Sequence, residues 1–329
     1  MNREYAILPH NGTAYLYALA NMELTPLVPA PGLPDARYFM AEDHTTFAFI
    51  DQLQKRVGFY QILAEPPYVE TLISPTTLPK NCHADALVIH QNCLYVGGRS
   101  KRSESLWKHK PGNSSWQTIP LPENFAYLKG KSMDALFTFN NQLIAVDDMI
   151  FPKWILVYDI SNFEAINFLN VFPLAQHGTY ETVRFGADND KYIALFSSSM
   201  GMGGGSQFVS LLHKNTLEEI CYWGIANFFG RSCVRSELHR SPYALPRPNI
   251  QKMIFFGDYL LVSTKSKLHK VRLDIASLSN QRPSFMPVHL QKVRVIETII
   301  KSKHNQQSIL VVGYDKNAMP TSEWVNIPD

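Results

Sequence analysis

Residues 92–119, NCLYVGGRSKRSESLWKHKPGNSSWQTI, decide how the rest of the chain is read. An apolar run, Leu94-Tyr95-Val96, stops at Gly97-Gly98; a basic stretch follows, and Trp107 and Trp116 then stand nine residues apart. Such a stretch is a phosphate-binding glycine loop, a piece of a nucleic-acid platform, or one unit of a repeat. Periodicity separates these readings. An apolar strand, a polar turn and a second apolar strand recur as ARYFMAEDHTTFAFID, DALVIHQNCLYVGG, DALFTFNNQLIAVDD, TVRFGADNDKYIALFS, QKMIFFGDYLLVST and VIETIIKSKHNQQSILVVG. The first strong apolar residue of each second strand is Phe47, Leu94, Leu143, Tyr192, Leu260 or Ile309. The intervals are 47, 49, 49, 68 and 49 residues, so four of five agree within two and one carries an insertion.

Each unit continues with two further strand candidates, such as ESLWKHK and SWQTIPL after Leu94, or WILVYDI and AINFLNV after Leu143. Four antiparallel strands in roughly 48 residues make a β-propeller blade. A lone four-stranded sheet cannot bury both faces. Stacking such sheets in a ring does so and protects the edges. The expectation is an all-β chain: one β-propeller domain over residues 1–329, of six four-stranded blades. Seven is the alternative, with YAILP (5–9) and EWVNI (323–327) in an irregular blade. The N-terminal TAYLYALANMELTPLVP reads as outer strands and the C-terminal VRVIETII and SILVVGY as inner ones, so the two termini are expected to share a blade and close the ring.

Residues 85–121 resemble a kelch repeat: LYVGG, then Trp107 and Trp116 on the strands that follow. The resemblance implies that Gly97 and Gly98 need a positive φ or close packing, and that both tryptophans pack between blades. It covers this blade; the next has Asp147-Asp148 at the glycine positions, with Tyr158 as an aromatic match.

Bulk properties narrow the function. The net charge of +3 does not by itself call for nucleic acid. Charge is uneven, at −4 over residues 1–75 (four basic, eight acidic) and +5 from residue 250 onward (eleven basic, six acidic), which points to faces of opposite sign. The start MNREYAILPHNGT has no apolar leader, no apolar stretch reaches about 18 residues, and Cys82, Cys93, Cys221 and Cys233 show no CxxC pairing. The reading is a cytoplasmic chain with free thiols and no membrane association.

HExxH, GxSxG and CxxC are absent, and the scattered histidines show no metal-ligand spacing, so no catalytic, metal or cofactor site is assigned. SSSMGMGGGSQ (197–207) satisfies neither phosphate-loop pattern and precedes a strand, SQFVSLLH, so it reads as a hairpin tip. The insertion at about 224–249 carries Arg231, Arg235, His239, Arg240 and Arg247 against Glu237, with Phe228, Phe229 and Tyr243 among them. Arginines beside aromatics are interface chemistry, and SCVRSELHR within it reads as a short helix.

In a propeller, the turns between second and third strands share a face with the links between blades. That face would gather Arg99, Lys101 and Arg102; Asp147 and Asp148; the glycine-rich tip; and the 224–249 insertion. The expected function is a non-catalytic scaffold that binds a protein partner there. The alternatives are an enzyme site at the channel mouth, with His83, Asp147, His177 and Arg184 near inner-strand ends, and binding of nucleic acid or a phosphorylated ligand, which the modest charge disfavours.

Overall fold

The structure, a computed structural model, describes residues 4–20, 23–32, 36–41, 44–79, 82–99, 105–123, 133–147, 153–174, 181–201, 204–228, 231–233, 250–273, 285–301 and 307–327. Among the described residues there is no α-helix. Sheet one holds β1 (Glu4–His10), β2 (Thr13–Ala20) and β3 (Glu23–Pro29). Sheet two holds β4 (Arg37–Met40), β5 (Thr46–Asp51), β6 (Arg56–Ile62) and β7 (Val69–Thr77). Sheet three holds β8 (His83–His90), β9 (Cys93–Arg99), β10 (Leu106–His109) and β11 (Gln117–Thr118). Sheet four holds β12 (Met133–Phe139), β13 (Gln142–Asp147), β14 (Lys153–Asp159) and β15 (Asn167–Leu174). Sheet five holds β16 (Glu181–Asp188), β17 (Tyr192–Gly201), β18 (Gly204–His213), β19 (Glu219–Phe228) and β20 (Arg231–Cys233). Sheet six holds β21 (Lys252–Phe256), β22 (Tyr259–Ser263), β23 (Leu268–Arg272) and β24 (Met286–Val288). Sheet seven holds β25 (Val295–Lys301), β26 (Ser308–Tyr314) and β27 (Pro320–Asn326). Within each sheet the strands pair antiparallel in chain order, giving seven blades.

Seven apolar layers, one between each pair of neighbouring sheets, join these blades into a ring. Phe47 and Phe49 of sheet two pack on Leu16 and Ala18 of sheet one. Ala48 and Phe59 turn the other way, onto Leu94, Val96 and Trp107 of sheet three. The same alternation carries the core around, through sheets three and four, four and five, five and six and six and seven. Second strands are therefore buried on both faces; β5, β22 and most of β26 are buried throughout. That is why these segments read as unbroken apolar runs rather than alternating ones. Outer strands such as β3 and β15 keep a wet face and alternate.

The ring has seven blades, the alternative count from the sequence rather than the favoured six, and its termini do not share a blade. Among the described residues no strand of 4–29 pairs with one of 295–326; the two segments form separate sheets. Closure comes instead from the seventh apolar layer, in which Leu8 and Tyr17 meet Ile300, Leu310 and Val312. The Tyr314 hydroxyl adds a hydrogen bond to the Pro9 carbonyl. YAILP and EWVNI are the strands β1 and β27, each the edge of its own sheet. Sheet one escaped the periodicity because it has three described strands. Its equivalent of the anchor, Ala14, precedes Phe47 by 33 residues rather than about 48.

The expectation for Gly97 and Gly98 resolves as close packing. Neither is among the positive-φ glycines. A Cβ on Gly98 would lie 1.9 Å from the His83 carbonyl oxygen, and one on Gly97 2.4 Å from that of Met133. Trp107 and Trp116 both enter the layer between sheets two and three, so they do pack between blades. Positive φ is used elsewhere, in two-residue turns joining first and second strands. Asn11-Gly12 (49° and 74°), Gln91-Asn92 (48° and 58°) and Asn140-Asn141 (47° and 59°) have the primed-turn geometry that matches strand twist.

Candidate functional site

Alternating strand direction divides the propeller into two faces. One carries the tight turns between first and second strands and is called the hairpin face. The other, the link face, carries the turns between second and third strands and the links from sheet to sheet. The residues singled out from the sequence fall on the link face or outside the described residues. Arg99 ends β9 and is exposed, with His83 opposite it. Asp147 ends β13 on the same face, but it is fully buried, as is Lys153 across the turn, so neither offers surface to a partner. Phe228 and Arg231 are paired backbone positions where β19 turns into β20. Lys101, Arg102, Asp148, Phe229, Arg235, His239, Arg240 and Tyr243 lie outside the described residues, as does His177.

Sheet five stands above this face. Its β17, β18 and β19 have ten residues each, against nine or fewer in every strand of the other sheets. The extension is at the link-face end. Ser197 pairs with Val183 at the level of Gly98, Asp147 and Gly313; sheet four ends there, sheets three and seven run one residue further to Arg99 and Tyr314, and β17 runs on to Gly201, which pairs with Gly204. Three to four more residues at about 3.3 Å each raise a ridge roughly 10–13 Å high. The glycine-rich segment is thus a paired hairpin tip, and the insertion begins as strand: β19 continues through 224–228 and Ser232-Cys233 belong to β20, where a short helix was expected. Residues 234–249 lie outside the described residues.

A second feature was missed from the sequence. The first strands of neighbouring sheets lie against one another around the axis. Near its link-face end each carries a charge: Glu4, Arg37, Asp85, Asp134, Arg184, Lys252 and Glu297, with Glu181 also at the start of β16. In four sheets the charged residue drops out of the ladder as a β-bulge, between Ala84/Ala86, Met133/Ala135, Val183/Phe185 and Ile296/Thr298. A bulge re-aims its side chain out of the pleat, which frees a charged group from an otherwise apolar inner strand.

These charges interact across blades. The Arg37 guanidinium donates to the Asp85 carbonyl oxygen at 2.8 Å. Burial pushes its pKa down, opposed by the carboxylates of Asp85 and Asp134. Burial likewise lowers Lys252, opposed by Glu297. Both cations are exposed and yet crowded by the neighbouring first strands around the axial bore. Arg184 donates through Nε to Ser198 Oγ at 3.0 Å, tying the bore to the base of the ridge. The sequence signal was a charged residue near the start of each first strand, as in HADALVIH, SMDALFTF and VIETII. Of the four residues placed near inner-strand ends from sequence, Arg184 joins this ring and His83 begins β8 next to it.

The hairpin face has a cavity of about 470 Å³ between sheets five, six and seven, lined by Asp190, Lys191, Tyr192, Phe255, Asp258 and Lys301. Tyr192 and Phe255 stack there at 6.3 Å between centroids, inside the apolar layer joining sheets five and six.

No family model matches the chain, and no curated protein matches it. Solved structures do. The chain is similar to Kluyveromyces lactis Hsv2, with 11% identity, 98% of this chain and 94% of that one covered, and a TM-score of 0.53. A complex of KlAtg21 with the coiled-coil of AgAtg16 is similar at 13% identity, covering 99% and 88%, with a TM-score of 0.51. A chain from the COPII outer coat vertex on membranes is similar at 9% identity, covering 100% and 85%, with a TM-score of 0.52. At these identities the likeness is one of fold: a propeller. Among the described residues no helix is long and apolar enough to cross a membrane.

Proposed function

We propose that the chain is a non-catalytic propeller scaffold that holds a protein partner on its link face. The observation that carries this reading is the ridge of sheet five. The layers between blades do not require strands extended by three to four residues beyond the neighbouring ladders, and raised, edge-bearing structure on a rigid ring is where propellers make contacts. The uneven loops of this face, with Arg99 exposed at one of them, support the same reading. The axial charges are of mixed sign, with the carboxylates of Asp85 and Asp134 acting on Arg37 and that of Glu297 on Lys252. Among propellers of similar fold, one is seen in complex with a coiled-coil. The kelch-like reading of residues 85–121 belongs to this proposal and is supported by the placement of Trp107 and Trp116. A cytoplasmic setting belongs to it as well, supported by Cys82, Cys93 and Cys221, which form no disulfide among the described residues.

The test is affinity purification from cells with three forms of the chain: the intact form, one in which residues 199–206 are replaced by Asn-Gly to end the hairpin at the Ser198–Gln207 pair, and a control altered on the hairpin face. Captured proteins are then remixed as purified components. A protein that forms a defined complex with the intact and control chains, and not with the shortened ridge, establishes the reading. Recovery of the same complex with the shortened ridge removes the ridge as the contact, and a purified chain that turns over a metabolite pool overturns the scaffold.

A further inference from the structure

Resting on the reading that the link face holds a protein, we infer that its sector over sheets six and seven is a platform for an acidic segment of that partner. Five cations gather there on three loops. Lys265 and Lys267 are in the β22–β23 turn, Lys292 and Arg294 in the link from sheet six to sheet seven, and Lys316 in the β26–β27 turn. All five are exposed, and among the described residues none forms an ion pair.

The acids nearby are already occupied. Glu323 is buried and accepts backbone N–H groups from Gln291, Lys292 and Val293 at 2.8, 3.1 and 2.9 Å. Asp315 accepts those of Asn317 and Met319 at 2.7 and 3.0 Å. Glu297 faces Lys252. These carboxylates are held by backbone groups or face Lys252 rather than the five cations, and with Lys252 counted the sector remains net positive, six cations against three acids.

Backbone bonds make the three loops one piece. The Ile296 N–H donates to the Lys265 carbonyl at 2.8 Å, and the Arg294 N–H to the Tyr314 carbonyl at 2.7 Å; within the first turn, the Thr264 N–H donates to the Lys267 carbonyl at 2.8 Å. Cations held on ordered loops lose little backbone freedom when a ligand binds, which favours a specific contact over a diffuse one. Grouped like charges also repel one another, and an anionic partner relieves that repulsion.

The chemistry selects an acidic protein segment. The turns, Thr264-Lys265-Ser266-Lys267, Gln291-Lys292-Val293-Arg294 and Asp315-Lys316-Asn317-Ala318-Met319, contain no aromatic residue on which a base could stack. Met319, 53% exposed beside Lys316, offers an apolar contact to one side chain of an acidic peptide. It is too little apolar surface to anchor the chain in a bilayer.

The test uses the full chain and fluorescence anisotropy. The probe is a labelled peptide of alternating Glu and Asp with one central Leu; comparison probes are its Lys counterpart, a single-stranded oligothymidylate of equal charge, and vesicles containing phosphatidylserine. Lys265→Glu/Lys267→Glu and Lys292→Glu/Arg294→Glu are each expected to weaken the acidic peptide at least tenfold. Lys191→Glu/Lys301→Glu on the hairpin face is expected to leave it within twofold, and raising salt from about 50 to 200 mM is expected to weaken it. Melting curves and the milder Lys→Gln pairs exclude misfolding. Equal peptide affinity in parent and platform variants overturns the inference. So does platform-dependent capture of the oligonucleotide or the vesicles without the peptide. A partner that is lost with the shortened ridge but kept by both platform variants leaves the scaffold standing and removes the acidic platform.

Discussion

Glu323 is the residue through which the architecture of the basic sector is most directly tested. Its buried carboxylate takes three consecutive backbone N–H groups of the link between sheets six and seven, two on Oε2 and one on Oε1. Glu323→Ala removes both acceptor oxygens and so all three bonds at once. A hydrogen bond to a charged acceptor contributes about 1.5–3 kcal/mol when its partner stays buried. The Val293 bond is buried, while those of Gln291 and Lys292 are partly buried and regain water. The expected loss is about 3 kcal/mol, most of it at Val293. With an unfolding entropy of about 2.1 cal/mol/K per residue, a chain of 329 residues loses roughly 4 °C in melting temperature for that change. Glu323→Gln keeps one carbonyl acceptor and turns an amide donor toward a donor, so it is expected to recover less than half. Calorimetry with a matched urea series measures both. A second readout separates position from charge. Glu323→Ala makes the chain more positive, which by field alone strengthens binding of the acidic peptide; a displaced link carrying Lys292 and Arg294 weakens it. An alanine variant that melts within about 1 °C of the parent, with unchanged peptide binding, refutes the view that this carboxylate sets the link.

Three further outcomes are expected. His109 is buried edge-on to Trp116 at 4.9 Å, and burial lowers its pKa, partly offset by its bond to the Lys110 carbonyl. Its neutral form is favoured in the fold, so stability is complete above about pH 6.5 and falls as pH drops toward the folded pKa; the melting temperature of His109→Gln should fall less between pH 7.5 and 5.5 than that of the parent. Gly98→Ala and Gly313→Ala place a Cβ 1.9 and 1.8 Å from the carbonyls of His83 and Val295, where only backbone can give, and each is expected to cost about 3 kcal/mol in urea unfolding. Lys252 is held below its ordinary pKa by burial, so at neutral pH its charged form is at a disadvantage that Glu297 only partly offsets; Lys252→Met is expected to keep or raise the melting temperature, and a drop would show the ammonium to be a net stabiliser.

The propeller was legible because its strongest physical demand is also its plainest sequence pattern. A second strand buried on both faces must be apolar at every position, and six such runs at a near-constant interval leave few other architectures. The blade count was not, since the interval measures a four-stranded unit and sheet one is shorter. The turn at Asn11-Gly12 was nevertheless the same hairpin signal as Gln91-Asn92 and Asn140-Asn141. Asp147 looked exposed because acids usually are; the structure buries it at the end of a ladder whose counterparts are Gly98 and Gly313. The axial ring hid for another reason. A charge every blade is diluted across some 300 residues, and only the topology brings Glu4 and Glu297 to one mouth.

The two faces differ in how much change each can absorb, and that difference favours the link face as the site of function. On the hairpin face, turns of two residues fix strand register through φ values that few side chains adopt, so substitution there acts on the fold itself. On the link face the ladders end at different heights, from Asp147 to the Gly201–Gly204 pair, and the intervals between strands vary from two residues after Gly201 to eighteen after Cys233. Lengthening such connections costs only slowly growing loop entropy while the seven apolar layers hold the ring. The basic sector illustrates the economy of the arrangement. One buried carboxylate and a few backbone bonds organise its loops, and the cations above them are free to be altered without touching a layer of the core. Ridge and platform sit on different blades of the same face, so a partner long enough to engage both would be oriented by two contacts. Weakening either alone should then reduce affinity without abolishing it, while combining the two should act more than additively on dissociation.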